Sequence, residues 1–173
     1  SLAIAKHIAN FVDHLSYIAR IGGKSKETNL EILKDINSNI RLELIEEPDL
    51  YSVTKTRFIA SGYSNPLSGK SQIKDESTDN RLFEISHLPK SIEKDIETKL
   101  ISLLQSNATK SNLLIVSDFG HGLFSKKTIE YICSLDNFIA LNVQTNSSNF
   151  GFNLITKYSR ADFICIDEVE ARL

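Results

Sequence analysis

Between Asn112 and Phe124 the sequence reads NLLIVSDFGHGLF, a stretch that groups several residues able to do chemistry. A hydroxyl at Ser117 and a carboxylate at Asp118 follow directly on the apolar run Leu113 to Val116, with Gly120 and Gly122 just beyond. The short, branched run predicts a strand buried on both faces of a parallel sheet. The polar pair then stands where strand gives way to loop, and the glycines let that loop's backbone approach a ligand closely. Open α/β sheets bind ligands at this edge. Asp and Gly at these positions also suit an ordinary turn. Asp118-Phe119-Gly120 spells the magnesium-binding triplet of protein kinases, but the H-R-D-type loop that those enzymes require upstream is not in the sequence.

Three further groups point the same way. Alternation over Ser52 to Ala60 puts Val53, Lys55, Arg57 and Ile59 on one face of a strand, so two cations share that face. They suit either a solvated surface or a paired clamp for an anionic ligand such as a sugar phosphate, and spacing leaves both open. At the ends of two later apolar strands stand Asn142 and Asp167, expected beside Asp118 along one sheet edge. Glu170 falls on the first turn of the next helix, where exposed N–H groups and the dipole favour anions. Carboxylates beside a phosphate usually act through Mg²⁺, whereas spacing alone favours plain helix capping by Asp167.

The elements that position these groups follow from periodicity. Residues 2 to 13 read as a helix with Ile4, Ile8, Phe11 and Val12 as its buried stripe, and His7 at the core edge. Leu15 to Ile21 reads as a strand, Gly22-Gly23 as a turn, and Glu27 to Ile36 as a helix. Ile40 to Ile45 alternates as a strand with one wet face. Residues 61 to 80 read as a long loop and Arg81 to Ser86 as a return strand, making a small antiparallel unit at about 40–86. A helix carries Ile92, Ile96, Leu100, Leu103 and Leu104 on one face; Ser125 caps another that runs to about Ser134. Phe138 to Val143 and Ala161 to Ile166 are strands, with a short helix at 153 to 159 between them. Strand and helix alternating over 112 to 173 predict right-handed βαβ units in a parallel sheet. Gly23-Lys24-Ser25 and Gly69-Lys70-Ser71 lack the earlier glycine of a phosphate-binding loop, with Ile18 and Ser64 in its place.

Composition sets the bounds. The 173 residues, 41% hydrophobic and 24% charged, suit one domain with a real core. A net charge of −2 and a pI near 6.1 argue against a general nucleic-acid binder, and no run reaches membrane-spanning length. Cys133 and Cys165 lie in apolar surroundings without metal-ligand spacing, so buried reduced thiols and a cytoplasmic setting are expected. Asn107 and Asn146 begin glycosylation triplets that mean little in that setting. Both ends fall inside apolar-periodic segments, and a partial domain is expected.

These residues resemble the ribokinase-like, or PfkB, carbohydrate kinases, most closely the heptose phosphate kinase domain of bifunctional ADP-heptose synthases. Ser1 to Ala9 resembles the helix that follows the family's N-terminal Gly-Gly, and Ser52-Val-Thr-Lys-Thr-Arg-Phe-Ile its lid segment. Val116-Ser-Asp-Phe-Gly-His-Gly-Leu is similar to S-D-Y-x-K-G-x-L, and Ile164-Cys-Ile-Asp-Glu-Val-Glu to T-P-N-x-x-E. The resemblance implies a ribokinase-like α/β fold with a small β lid, and ATP-dependent transfer of the γ-phosphoryl group to a sugar hydroxyl, with Mg²⁺. It implies substrate contacts at Lys55, Arg57, Ser117 and Asp118, and a phosphate and Mg²⁺ region at Asn142, Asp167 and Glu170, with no direct metal ligand. It further implies a possible homodimer through the lid and a possible fused nucleotidyltransferase domain. Asp167 replaces the family's Asn, His121 its motif Lys, Asn142-Val143-Gln144 its D-P-K, and Ala3 a substrate-contacting Asn. The G-A-G-D element with the catalytic base is expected beyond Leu173, so this chain alone is expected to be inactive. A sugar-phosphate binder without catalysis and a generic α/β partner-binding module are the alternatives.

Overall fold

The computed structural model describes residues 2–25, 27, 31, 33, 36–60, 80–88, 92–145 and 149–173. Its elements are α1 (Leu2–Ile8), β1 (Leu15–Gly22), a 3₁₀ turn (Gly23–Ser25), β2 (Ile40–Glu47), β3 (Thr54–Ala60) and β4 (Asn80–His87). There follow α2 (Lys94–Ala108), β5 (Leu113–Asp118), α3 (Lys126–Ser134), β6 (Phe138–Val143), a 3₁₀ turn (Ile155–Lys157), β7 (Phe163–Ile164) and α4 (Glu168–Arg172). The fold is mixed α/β, with small parallel and antiparallel sheets flanked by helices. No helix among the described residues is long and apolar enough to cross a membrane.

The core forms where the helical and strand periods meet. Ile96, Leu100 and Leu104 recur every four residues and so lie along one side of α2, all buried. Ser125 starts α3 by accepting a bond from the Thr128 N–H at 3.1 Å, which points Ile129 and Ile132 inward. These side chains cover Val116, Ile139, Leu141 and Val143 of β5 and β6, and Ile45 of β2 joins the same cluster. β5 and β6 pair in parallel from Leu113 opposite Phe138 to Asp118 opposite Val143, and Leu141 pairs with Ile164 of β7.

Several expectations change. The parallel strands form two sheets, β1 with β2 and β5 with β6 and β7, instead of one. β2 pairs in parallel with β1, so the antiparallel unit is the β3–β4 hairpin alone. β5 is buried on one face only: Leu113 and Ile115 remain 45% and 37% exposed, because α2 and α3 cover the opposite side. α1 is shorter than predicted and buries Ala5 and, just past its end, Ala9, while Phe11 is 83% exposed. In place of the Gly22-Gly23 turn, Gly22 ends β1 and a 3₁₀ turn begins at Gly23, and the helix at 153 to 159 is likewise only a 3₁₀ turn, Ile155–Lys157. β7 shrinks to two exposed residues, and Cys165 beside it is exposed, not buried. Most of the predicted 27–36 helix, the 61–80 loop and part of the loop after β6 lie outside the described residues.

Candidate functional site

At the carboxyl end of β5 the chain buries a carboxylate. Asp118 is 3% exposed, and its charge is tolerated because donors surround it. One oxygen accepts from the Gly120 N–H at 2.8 Å; the other accepts from the Tyr158 hydroxyl at 2.8 Å and faces Lys157 Nζ at 2.5 Å. Its carbonyl accepts from the Gln144 N–H at 2.8 Å and from Asn153 Nδ2 at 3.2 Å. Burial first, then the charge and hydrogen bond of Asp118, push the Tyr158 phenol far above its ordinary pKa. Tyr158 is therefore a neutral donor that holds Asp118 in place.

The loop after Asp118 is shaped by the same residues. Gly120 has φ +67°, a left-handed conformation that L side chains adopt at a cost, and a Cβ there would lie 2.1 Å from Asn149 Nδ2. Asn149 Nδ2 in turn donates to the Phe119 carbonyl at 3.0 Å. Asn149, Asn153, Lys157 and Tyr158 thus clamp residues 118 to 120 from one loop. Sequence reading missed all four, because they show no periodicity and match no motif.

Three buried polar atoms at this end have no hydrogen-bond partner among the described residues: Ser117 Oγ, His121 Nε2 and Asn142 Oδ1. Ser117 and Asn142 pair across β5 and β6, so their side chains project from the same face as neighbours. Nearly all buried polar groups in proteins are paired, so three without partners at one strand end mark capacity to bind polar groups. Burial, and next the Lys55 cation on β3, hold the His121 imidazole below its ordinary pKa, with Asp118 opposing. Lys55 therefore lies close enough to act on the loop after β5. It makes no ion pair with a described residue, whereas Arg57 is paired across the hairpin with Glu84 at 2.9 Å.

The structure brings the predicted rim residues into one line. Gln144 bonds Asp118; the next residue, Thr145, donates its N–H to Glu170 Oε1 at 2.8 Å, and Glu170 Oε2 accepts from the Asp167 N–H at 3.1 Å. Asp167 Oδ1 accepts from the Glu170 N–H at 2.8 Å, closing a capping box at the start of α4. Both Glu170 oxygens and one of Asp167 are thereby committed to backbone donors. No group of three or more His, Cys, Asp or Glu among the described residues is placed to hold a metal ion. Direct Mg²⁺ ligation by this pair does not fit those commitments. No protein-family model matches the chain, and no curated protein sequence matches it.

Proposed function

We propose that the carboxyl-end edge of β5 and β6 binds a sugar phosphate. In this reading the chain forms the acceptor-binding part of an ATP-dependent carbohydrate kinase of the ribokinase-like type. The observation that carries it is the set of unpartnered buried atoms, Ser117 Oγ, His121 Nε2 and Asn142 Oδ1, with the Lys55 charge acting on His121. Hydroxyl and amide groups suit a polyol, and a lone ammonium suits a phosphate monoester. A histidine held neutral keeps one ring nitrogen to accept a sugar hydroxyl. Arg57 contributes less, since Glu84 already neutralises it. Asp118 positions the 118–122 loop and is not the base, because its oxygens are occupied. ATP and Mg²⁺ enter this reading through the motif resemblance; the metal would travel on nucleotide phosphates with its own waters.

A second reading keeps the sugar phosphate and drops the chemistry. The saturated carboxylate of Asp118 favours it, since neither of its oxygens is left to take a proton from the acceptor.

Calorimetric titration with heptose and hexose phosphates, against the unphosphorylated sugars, tests the site. Lys55→Ala should weaken binding about tenfold and Arg57→Ala less than about threefold, as a partly desolvated charge contact outweighs an already paired one. Ser117→Ala should weaken binding yet stabilise the unliganded protein by about 1 kcal/mol, because it removes a buried hydroxyl without a partner. Absence of heat with every phosphate would remove the reading. Transfer of label from ATP to a bound sugar phosphate separates the kinase from the binder.

A further inference from the structure

The two parallel sheets turn edges toward a common cavity, open on β1 over Ser16 to Ile18, since the Gly22 N–H donates to Ser52 Oγ, and open on β5 over Leu113 to Ser117. β1 bonds β2 through Leu15, Tyr17, Ala19 and Ile21, as the Leu15 N–H to Asn39 bond fixes, so Ser16 and Ile18 direct their backbone N–H and C=O groups the other way. β5 bonds β6 through Leu114, Val116 and Asp118, as the Phe138 to Asn112 and Gln144 to Asp118 bonds fix, which leaves Leu113, Ile115 and Ser117 facing away. No hydrogen bond joins the outward backbone groups of these five residues to another described residue. Both edges line a cavity of about 840 Å³, shared with Leu2, Ile4 and Ile8 of α1 and Leu100, Leu104 and Ile132 of α2 and α3. Ile4 and Ile8, the stripe predicted to be buried, thus face this opening.

We propose that the cavity is a slot for one further β-strand, an apolar peptide segment that pairs with β1 on one side and β5 on the other. Backbone donors and acceptors repeating along both walls call for a partner with amides at the same two-residue period, which a compact apolar molecule lacks. The slot continues two established ladders, so its occupant extends both hydrogen-bond patterns and joins the sheets into one. β5 spans six residues, which sets the occupant's length at about six. Apolar side chains from the helices call for apolar residues on both of its faces, as in strands buried within parallel sheets. The slot adjoins the proposed sugar phosphate site, since Ser117 and His121 line the same cavity, but the inference rests on the backbone edges and not on that reading.

The test uses the soluble peptide acetyl-Lys-Val-Ile-Val-Val-Ile-Lys-amide and its counterpart with alternate amides N-methylated. Hydrogen exchange resolved by residue should slow at least about tenfold at Ile18, Ile115 and Ser117 on adding the first peptide, while Ala19 and Val116, already paired, change little. The melting temperature should rise with the concentration of this peptide, a readout independent of exchange. The methylated peptide should protect none of these amides. Equal effects of the two peptides would recast the slot as an apolar ligand pocket and overturn the proposal. So would absence of binding at millimolar peptide, or a concentration-dependent dimer that already protects the same amides.

Discussion

Asp118 carries more of this site than its single charge suggests. Lys157, Tyr158 and Gly120 converge on its two oxygens in a region with almost no solvent contact. Asp118→Asn keeps the shape but strands Lys157 beside a neutral amide, and should cost about 3 kcal/mol. Tyr158→Phe leaves the ion pair and removes one charge-assisted hydrogen bond, costing about 2 kcal/mol. Urea unfolding with unchanged m-values would read both, and equal costs would show that the ion pair adds nothing. His121 gives a pH signature. Its imidazole takes up a proton near pH 6.5 in an unfolded chain and only at lower pH when folded, because burial and then Lys55 depress it. In that window the unfolded chain holds more protons, so the stability present above about pH 6.5 is lost as pH falls. His121→Gln should flatten this slope, and Lys55→Ala should move the histidine's titration upward in an NMR experiment; an unmoved titration would separate the hairpin from the loop.

At the level of elements, glycine geometry separates two otherwise similar positions. Gly120 and Gly151 both have φ near +70°, but a Cβ at Gly120 meets Asn149 and Asn153 while one at Gly151 meets nothing within 4 Å. Gly151→Ala should therefore cost about 1 kcal/mol, the left-handed penalty alone. Gly120→Ala should cost about 3 kcal/mol and weaken sugar phosphate binding, because the clamp must move as well. Equal losses on thermal unfolding would contradict the placement of Asn149. What the sequence made legible follows the same division. α2 and α3 were readable because burial on one side imposes a period of 3.6 on Ile96, Leu100, Leu104, Ile129 and Ile132. An apolar run states only that a segment could be buried, so β7 is confined to Phe163–Ile164 and α1 to Leu2–Ile8 where the pattern predicts longer elements. The Asp118 loop is located by its glycines, but the side chains that clamp it lie 30 or more residues later, and no local pattern announces a bond to a distant tyrosine. Capping by Asp167 is legible from spacing, but the reciprocal bond from Glu170, expected in a phosphate and Mg²⁺ region, is not, and the structure shows both side chains engaged in the cap.

On the scale of the whole molecule, the arrangement is two parallel ladders and a hairpin held by few elements. β1 and β2 also share a buried ion pair, Arg20 with Glu47, in which Arg20 Nη2 donates to Glu47 Oε2 at 3.0 Å. α2 is the helix that packs on β1, β2 and α3 together. Three leucine and isoleucine side chains on one side of it, Ile96, Leu100 and Leu104, therefore tie the first ladder to the second. Cooperativity in this protein is lodged in that narrow seam: heat that loosened α2 would let each ladder melt on its own schedule, and a single unfolding transition would split into two.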